Sequence, residues 1–175
     1  MKAARYSTIE VLRDGRRLEI RALRPEDKHE LLHAVSRTGA QSLFRRFFAA
    51  KRTFSEQEIA FFVNVDFSTH VALLAVLEEQ GAPAIVGGGR YIVSGPGETE
   101  VAFAIIDAYQ GQGIGGKLLQ HLAVIAREAG IKEFSAEVLP ENMPMLKVFE
   151  RSGLPLTIRR EPGVVHVTLG LVPPI

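Results

Sequence analysis

The residues from Gln110 to Lys117, Gln-Gly-Gln-Gly-Ile-Gly-Gly-Lys, are the most chemically informative stretch of this 175-residue chain. Glycines permit backbone conformations that turn successive N–H groups outward where a helix begins, and such a loop binds phosphate oxygens. Spacing alone admits three nucleotide-type ligands. Gly111 to Lys117 satisfies most of the P-loop pattern, but Leu118 stands where a Ser or Thr hydroxyl would hold magnesium, which disfavours ATP and GTP. Gly111-x-Gly113-x-x-Gly116 satisfies the dinucleotide fingerprint, and Glu137 falls where a ribose-binding acid is expected. Against that reading, Asp107 to Gln110 separate the preceding strand from the first glycine, whereas a dinucleotide turn follows its strand directly. The chain also offers one strand-helix-strand unit, and too little sequence after Leu139 for a second half.

Other residues can move protons or hold metals. Glu98 and Glu100 are two apart on the segment leading into the loop, so in a strand they share a face. His29-Glu30-Leu31-Leu32-His33 matches H-E-x-x-H, which on a helix sets two imidazoles one turn apart beside a glutamate able to act as base. That arrangement needs a third ligand and a cleft. Leu31, Leu32 and Val35 make the buried stripe of an ordinary amphipathic helix, with at least one histidine facing solvent, so no metal site is expected. The absence of cysteine excludes a disulfide framework, a thiolate metal site and a cysteine acyl-enzyme. Any acyl transfer uses another nucleophile or is direct.

The length allows one well-buried core and is too short for two ordinary domains. No run approaches the ~18 apolar residues of a membrane span, and no signal-peptide apolar run follows Met1, so a cytoplasmic protein without membrane attachment is expected. A formal charge of +1 lacks the electrostatic footprint of a nucleic-acid binder. Two basic clusters, Arg13, Arg16, Arg17, Arg21 and Arg24, then Arg45, Arg46, Lys51 and Arg52, read as solvated faces, with contact to an anionic partner as the alternative.

The elements that must position these groups follow from periodicity. Alternation in 8–12 and 17–21 around Asp14-Gly15 predicts a hairpin. Pro25-Glu26-Asp27 heads a helix to about Arg37, and Ser55-Glu-Gln-Glu starts a second like a capping box. Three strands follow, at 71–77, 85–93 and 98–106, antiparallel because their links are short. Leu118, Leu119, Leu122, Ile125 and Ala126 recur at helical spacing up to Gly130. A strand over 132–139, a short helix over 143–152 and a final hairpin at 156–160 and 164–170 complete a mixed α/β fold with a largely antiparallel sheet.

Gln110-x-x-Gly113-x-Gly115, after a strand that carries an acid and before an amphipathic helix, resembles the acetyl-CoA signature of the GNAT superfamily of N-acetyltransferases. The resemblance runs from about Arg17 to Leu171 and includes Asn142 and the 145–154 segment, where that family has its second CoA-contacting helix. Within the superfamily, Leu12-Arg-Asp-Gly, the Ile20 to Asp27 run and Arg46-Phe-Phe48 look like the catalytic domain of bacterial Pat-type protein lysine acetyltransferases. The resemblance implies residues 1–16 as an N-terminal extension with an edge strand and residues 17–172 as one acetyltransferase domain. It implies acetyl-CoA as acyl donor, bound by Gln110, Gly111, Gln112, Gly113, Ile114, Gly115 and Gly116, with its pyrophosphate on the N–H groups of Gln112 to Gly116. Lys117 adds charge, and the pantetheine arm lies along the backbone of Phe103, Ala104 and Ile105 and against Asn142. Glu100 is implied as the catalytic base, with Glu98 as alternate, and an N–H near Ile105 as oxyanion donor. Phe149 stands where many members carry a tyrosine acid, and reads as packing against the CoA arm or the core. The acceptor is a primary amine, a protein lysine being favoured by the Pat-like segments, in direct transfer by either a monomer or a dimer. The rival reading is a non-catalytic acyl-CoA sensor.

Overall fold

Val71 to Leu77 is apolar at every position rather than at alternate ones, the pattern of a strand covered on both faces. In the computed structural model, which describes residues 3–36 and 55–171, this run lies in β3 (His70–Glu79), buried continuously from His70 to Leu77. Around it the chain builds β1 (Ser7–Val11), β2 (Arg17–Ala22), α1 (Lys28–Ser36), α2 (Glu56–Val63), β4 (Ala82–Gly95), β5 (Glu98–Ile105), α3 (Ile114–Glu128), β6 (Glu133–Val138), α4 (Met143–Glu150), β7 (Leu156–Glu161) and β8 (Val164–Gly170). The second basic cluster and the Arg46-Phe-Phe48 segment lie outside the described residues.

The eight strands form one sheet in the order β1-β2-β3-β4-β5-β6-β8-β7. All neighbours are antiparallel except β5 and β6, which run parallel through α3 as their crossover. The mixed, largely antiparallel fold expected from the sequence is therefore present, with β1 as an edge strand. Leu73, Leu77, Phe103, Leu118 and Leu122 belong to the core under α3 and α4, whereas Leu74, Val76, Leu31 and Val63 form the layer under α1 and α2. No helix among the described residues is long and apolar enough to cross a membrane.

Two features depart from a reading of surface charge and simple strand patterning. Arg21 is not a solvated cation: its guanidinium bonds both oxygens of Asp27 at 2.8 Å, and Arg24 N–H donates to the same carboxylate at 2.7 Å. Burial alone would raise the Asp27 pKa, but these donors outweigh it and hold the group below its usual value. The Pro25 to Asp27 segment is accordingly a 3-10 turn ahead of α1.

The second feature is Gly87-Gly88-Gly89 in β4, a run that lowers strand propensity but lets β5 and α3 close over it. A Cβ on Gly89 would stand 2.7 Å from Phe103 Cδ1 and 3.0 Å from Leu122 Cδ1. Gly89→Ala is expected to destabilise the fold by about 1–3 kcal/mol through overpacking. Urea unfolding measures it, and an unchanged midpoint would mean that the Phe103 ring has room to move.

Candidate active site

After β5 the chain makes a 3-10 turn over Asp107–Tyr109 and enters the glycine loop. Gln110 ties that loop to the sheet, its side-chain NH2 donating to the Ile105 carbonyl at 3.4 Å and to Asp107 Oδ1 at 3.3 Å. Gly113 takes φ +84°, a left-handed conformation costing a residue with a Cβ about 1–2 kcal/mol, and stands as N-cap of α3. It offers no side-chain cap, and the first turn holds no acid. Lys117 N–H bonds back to the Gly113 carbonyl at 3.2 Å, so the N–H groups of Ile114, Gly115 and Gly116 precede that bond and lack an intrahelical acceptor. With the positive end of the helix dipole behind them, they suit a phosphate group.

The loop opens into a groove of about 830 Å³ between α3 and α4. Its charge is one-sided: Arg13, Lys117, Arg127, Lys147 and Arg151 line it, with no Asp or Glu among the described lining residues. The two helices come close at Gly115, where a Cβ would stand 3.1 Å from Val148 Cγ2. Asn142 begins α4 by accepting Met145 N–H at 3.3 Å on its Oδ1, and it lines the groove at the mouth of the sheet.

Of the binding residues taken from the sequence, Ile105, Gln110, Gly111, Gly113, Ile114, Gly115, Gly116 and Asn142 line this groove, while Phe103, Ala104, Gln112 and Phe149 do not. Phe103 and Phe149 are sealed in the core, their rings edge to face at 6.0 Å. The Gln112 side chain is engaged by Arg16. Sequence reasoning did not place Arg13 or Tyr109 here. Lys147 and Arg151 show as a basic pair one helical turn apart, whereas Arg13 showed only as one member of the first basic cluster, with nothing local to say that the β1–β2 hairpin carries it to this groove.

Glu100 faces the other way. Ala72 pairs with Arg90 and Arg90 with Ala102, while Ile92 pairs with Glu100, so these residues share the α1/α2 side of the sheet. Glu100 is half-buried, with Oε1 withdrawn from solvent, whereas Glu98 is exposed at the start of the strand. Glu100 also marks where β5 meets β6. Its register with Ser135 is the pairing between those strands, reinforced by Ser135 Oγ donating to the Thr99 carbonyl at 3.3 Å. Towards Ile105 no further β5–β6 pair is formed among the described residues, so the two strands are joined at the Glu100 end.

On the same side as Glu100, Arg90 is buried to 5% exposure and fixes α2 to the sheet. Its Nη1 donates to the Phe62 carbonyl at 3.2 Å and meets His70 Nε2 at 2.9 Å, with the Phe62 ring 5.1 Å from Cζ. Nε2 accepts only in a neutral imidazole, and burial together with the neighbouring guanidinium pushes the His70 pKa down to about 4. Burial lowers Arg90 to about 10, still a cation at neutral pH.

The rival ligands lose their structural context. Leu118 is wholly buried in the core, and Glu137 lies on a strand whose other neighbour, β8, is antiparallel, so no second dinucleotide half exists among the described residues. His29, Glu30 and His33 all sit on the exposed side of α1.

Residues 31–154 match the model of the Acetyltransferase (GNAT) family. The chain belongs to the GNAT acetyltransferase family. That family takes acetyl-CoA as its donor. This GNAT chain is 31% identical to Acetyltransferase Pat of Mycolicibacterium smegmatis over 94% of its own length, and spans 48% of that protein. It is 31% identical to Acetyltransferase PA5475 of Pseudomonas aeruginosa, covering 71% of this chain and 68% of the relative. The solved GNAT domain of S. lividans PAT superposes with a TM-score of 0.81 at 35% identity, covering 94% of this chain and 96% of that one.

Proposed function

We propose that this GNAT chain moves the acetyl group of acetyl-CoA directly to the ε-amine of a protein lysine, with donor and acceptor bound together. The observation that carries the reading is the division of the site by the sheet. The loop amides and the groove cations lie on the α3/α4 side, and Glu100 lies on the α1/α2 side at the pair that joins β5 to β6, beyond which their described ladder ends. Bound acetyl-CoA supplies an activated thioester. The N–H groups of residues 112–116 and the groove cations hold its phosphates, and Asn142 Nδ2 and the 103–105 backbone orient its arm.

The acceptor reaches the thioester from the α1/α2 side as an ammonium, with a pKa near ~10.4, and attack requires the neutral amine. Glu100 takes the proton, directly or through one water, while a backbone N–H near Ile105 faces the charge that develops on oxygen. The new C–N bond replaces the C–S bond, and CoA leaves as a thiolate that takes up, through water, the proton shed by the acetylated nitrogen; a thiol pKa near ~8.5 lets it leave without a tyrosine, consistent with Phe149 being sealed in the core. With no cysteine in the chain, an acyl-cysteine step has no residue to use.

The Ile20 to Asp27 run, similar to Pat-type enzymes, supports a protein lysine as acceptor. The test is release of free thiol from acetyl-CoA against a panel of lysine peptides, polyamines and amino acids. Turnover with lysine peptides is expected, whereas binding of acetyl-CoA with no turnover on any amine would favour the sensor.

A further inference from the structure

The β1–β2 hairpin is fastened along the outside of the phosphate loop and α3. At its tip, Arg16 is clamped by Asp14, Nε to Oδ2 at 2.7 Å and backbone N–H to Oδ1 at 3.0 Å, and its guanidinium reaches the Gln112 side chain in the glycine loop. One turn into the helix, Glu10 accepts from Lys117 Nζ at 3.3 Å, and a turn further from His121 Nε2 at 2.7 Å, while Tyr6 bonds His121 Nδ1. Partnership with His121, and then Lys117, holds the Glu10 carboxyl below its usual pKa despite partial burial. Three rungs thus hold the hairpin against the glycine loop at Gln112 and against α3 at Lys117 and His121.

This fastening has two consequences. Lys117, the cation nearest in sequence to the loop amides, has its ammonium drawn to Glu10 on the hairpin side. Arg13, beside the clamped turn, is brought to the groove wall, where it is exposed and lines the same cavity as the loop glycines. No described acid lines that cavity to neutralise it.

We infer that Arg13 is a phosphate-binding residue for the coenzyme, supplied by the N-terminal hairpin, and that it provides the charge which Lys117 gives to Glu10. This rests on the reading that the groove takes the phosphates of acetyl-CoA. Two phosphate positions share the chemistry, the diphosphate and the 3′-phosphate, and the experiment separates them.

Calorimetric titration with CoA and with 3′-dephospho-CoA is made on the parent, Arg13→Gln and Arg13→Lys, with Arg17→Ala as control, since Arg17 is an exposed residue of the hairpin that does not line the groove. Arg13→Gln is expected to weaken CoA about tenfold or more, as befits one charge-assisted contact, with partial recovery in Arg13→Lys and no change in Arg17→Ala. A loss confined to CoA places Arg13 on the 3′-phosphate, and a loss shared by both ligands places it on the diphosphate. Parental affinity in Arg13→Gln, or an equal loss in Arg17→Ala, overturns the inference. Failure of the parent to bind either ligand overturns instead the groove assignment on which it rests.

Discussion

Glu100→Gln is expected to lower kcat by a factor of ~100 or more at neutral pH, the scale of a positioned general base, while leaving affinity for CoA unchanged. The separation follows from geometry. Glu100 is on the α1/α2 side, opposite the groove, so in the proposed reaction its carboxylate serves the acceptor and stands away from the phosphates. Glutamine keeps the shape and the strand register with Ser135, so loss of fold does not account for a loss of rate. Because the base works only when ionised, the acidic limb of the parent pH-rate profile should vanish with the substitution. Steady-state rates and calorimetry on the same preparations read both effects. A Glu100→Gln protein that turns over at the parental rate would remove Glu100 from the mechanism while leaving the enzyme class intact.

Gly113→Val is expected to produce the complementary phenotype, a loss of coenzyme affinity of at least ~10-fold. A Cβ at Gly113 meets no atom within 4 Å, so the obstacle is not crowding. It is the φ of +84°, which a β-branched residue reaches only at a cost above the ~1–2 kcal/mol of an ordinary side chain. The loop relieves that strain by turning, and turning takes the 114–116 N–H groups out of line. Since ~1.4 kcal/mol is a factor of ten, relief of this size is enough. Calorimetry with CoA measures the change, and parental affinity would show that the amides are not what holds the phosphates.

The sequence made the local parts of this fold legible and left the long-range parts silent. Periodicity placed the strands and helices, because a continuous apolar run such as Val71 to Leu77, or the Leu118 to Ala126 stripe, reports directly on which faces are covered. The glycine loop stood out because its requirement is conformational and so must be written in residue type. Other features depend on residues that meet only after folding. Arg21 read as a surface charge because Asp27 lies around a turn that had to be known to bring them together. Lys117 read as a phosphate cation because nothing near it announces Glu10 on β1. Three successive glycines in β4 look like a defect until Phe103 and Leu122 are seen lying over Gly89. The order of the last strands, with β8 rather than β7 beside β6, has no signature in a hairpin whose two strands are patterned alike.

In the proposed reaction, backbone amides at the start of α3 grip the diphosphate of acetyl-CoA and so send its thioester between β5 and β6 towards Glu100. A crystal soaked with acetyl-CoA tests it most directly. Diphosphate oxygens are expected within hydrogen-bonding distance of the 112–116 N–H groups, and the acetyl carbon beside the 103–105 backbone, open to the α1/α2 side. Acetyl-CoA held elsewhere on the surface, or bound in the groove with its acetyl group turned away from β5, would contradict it.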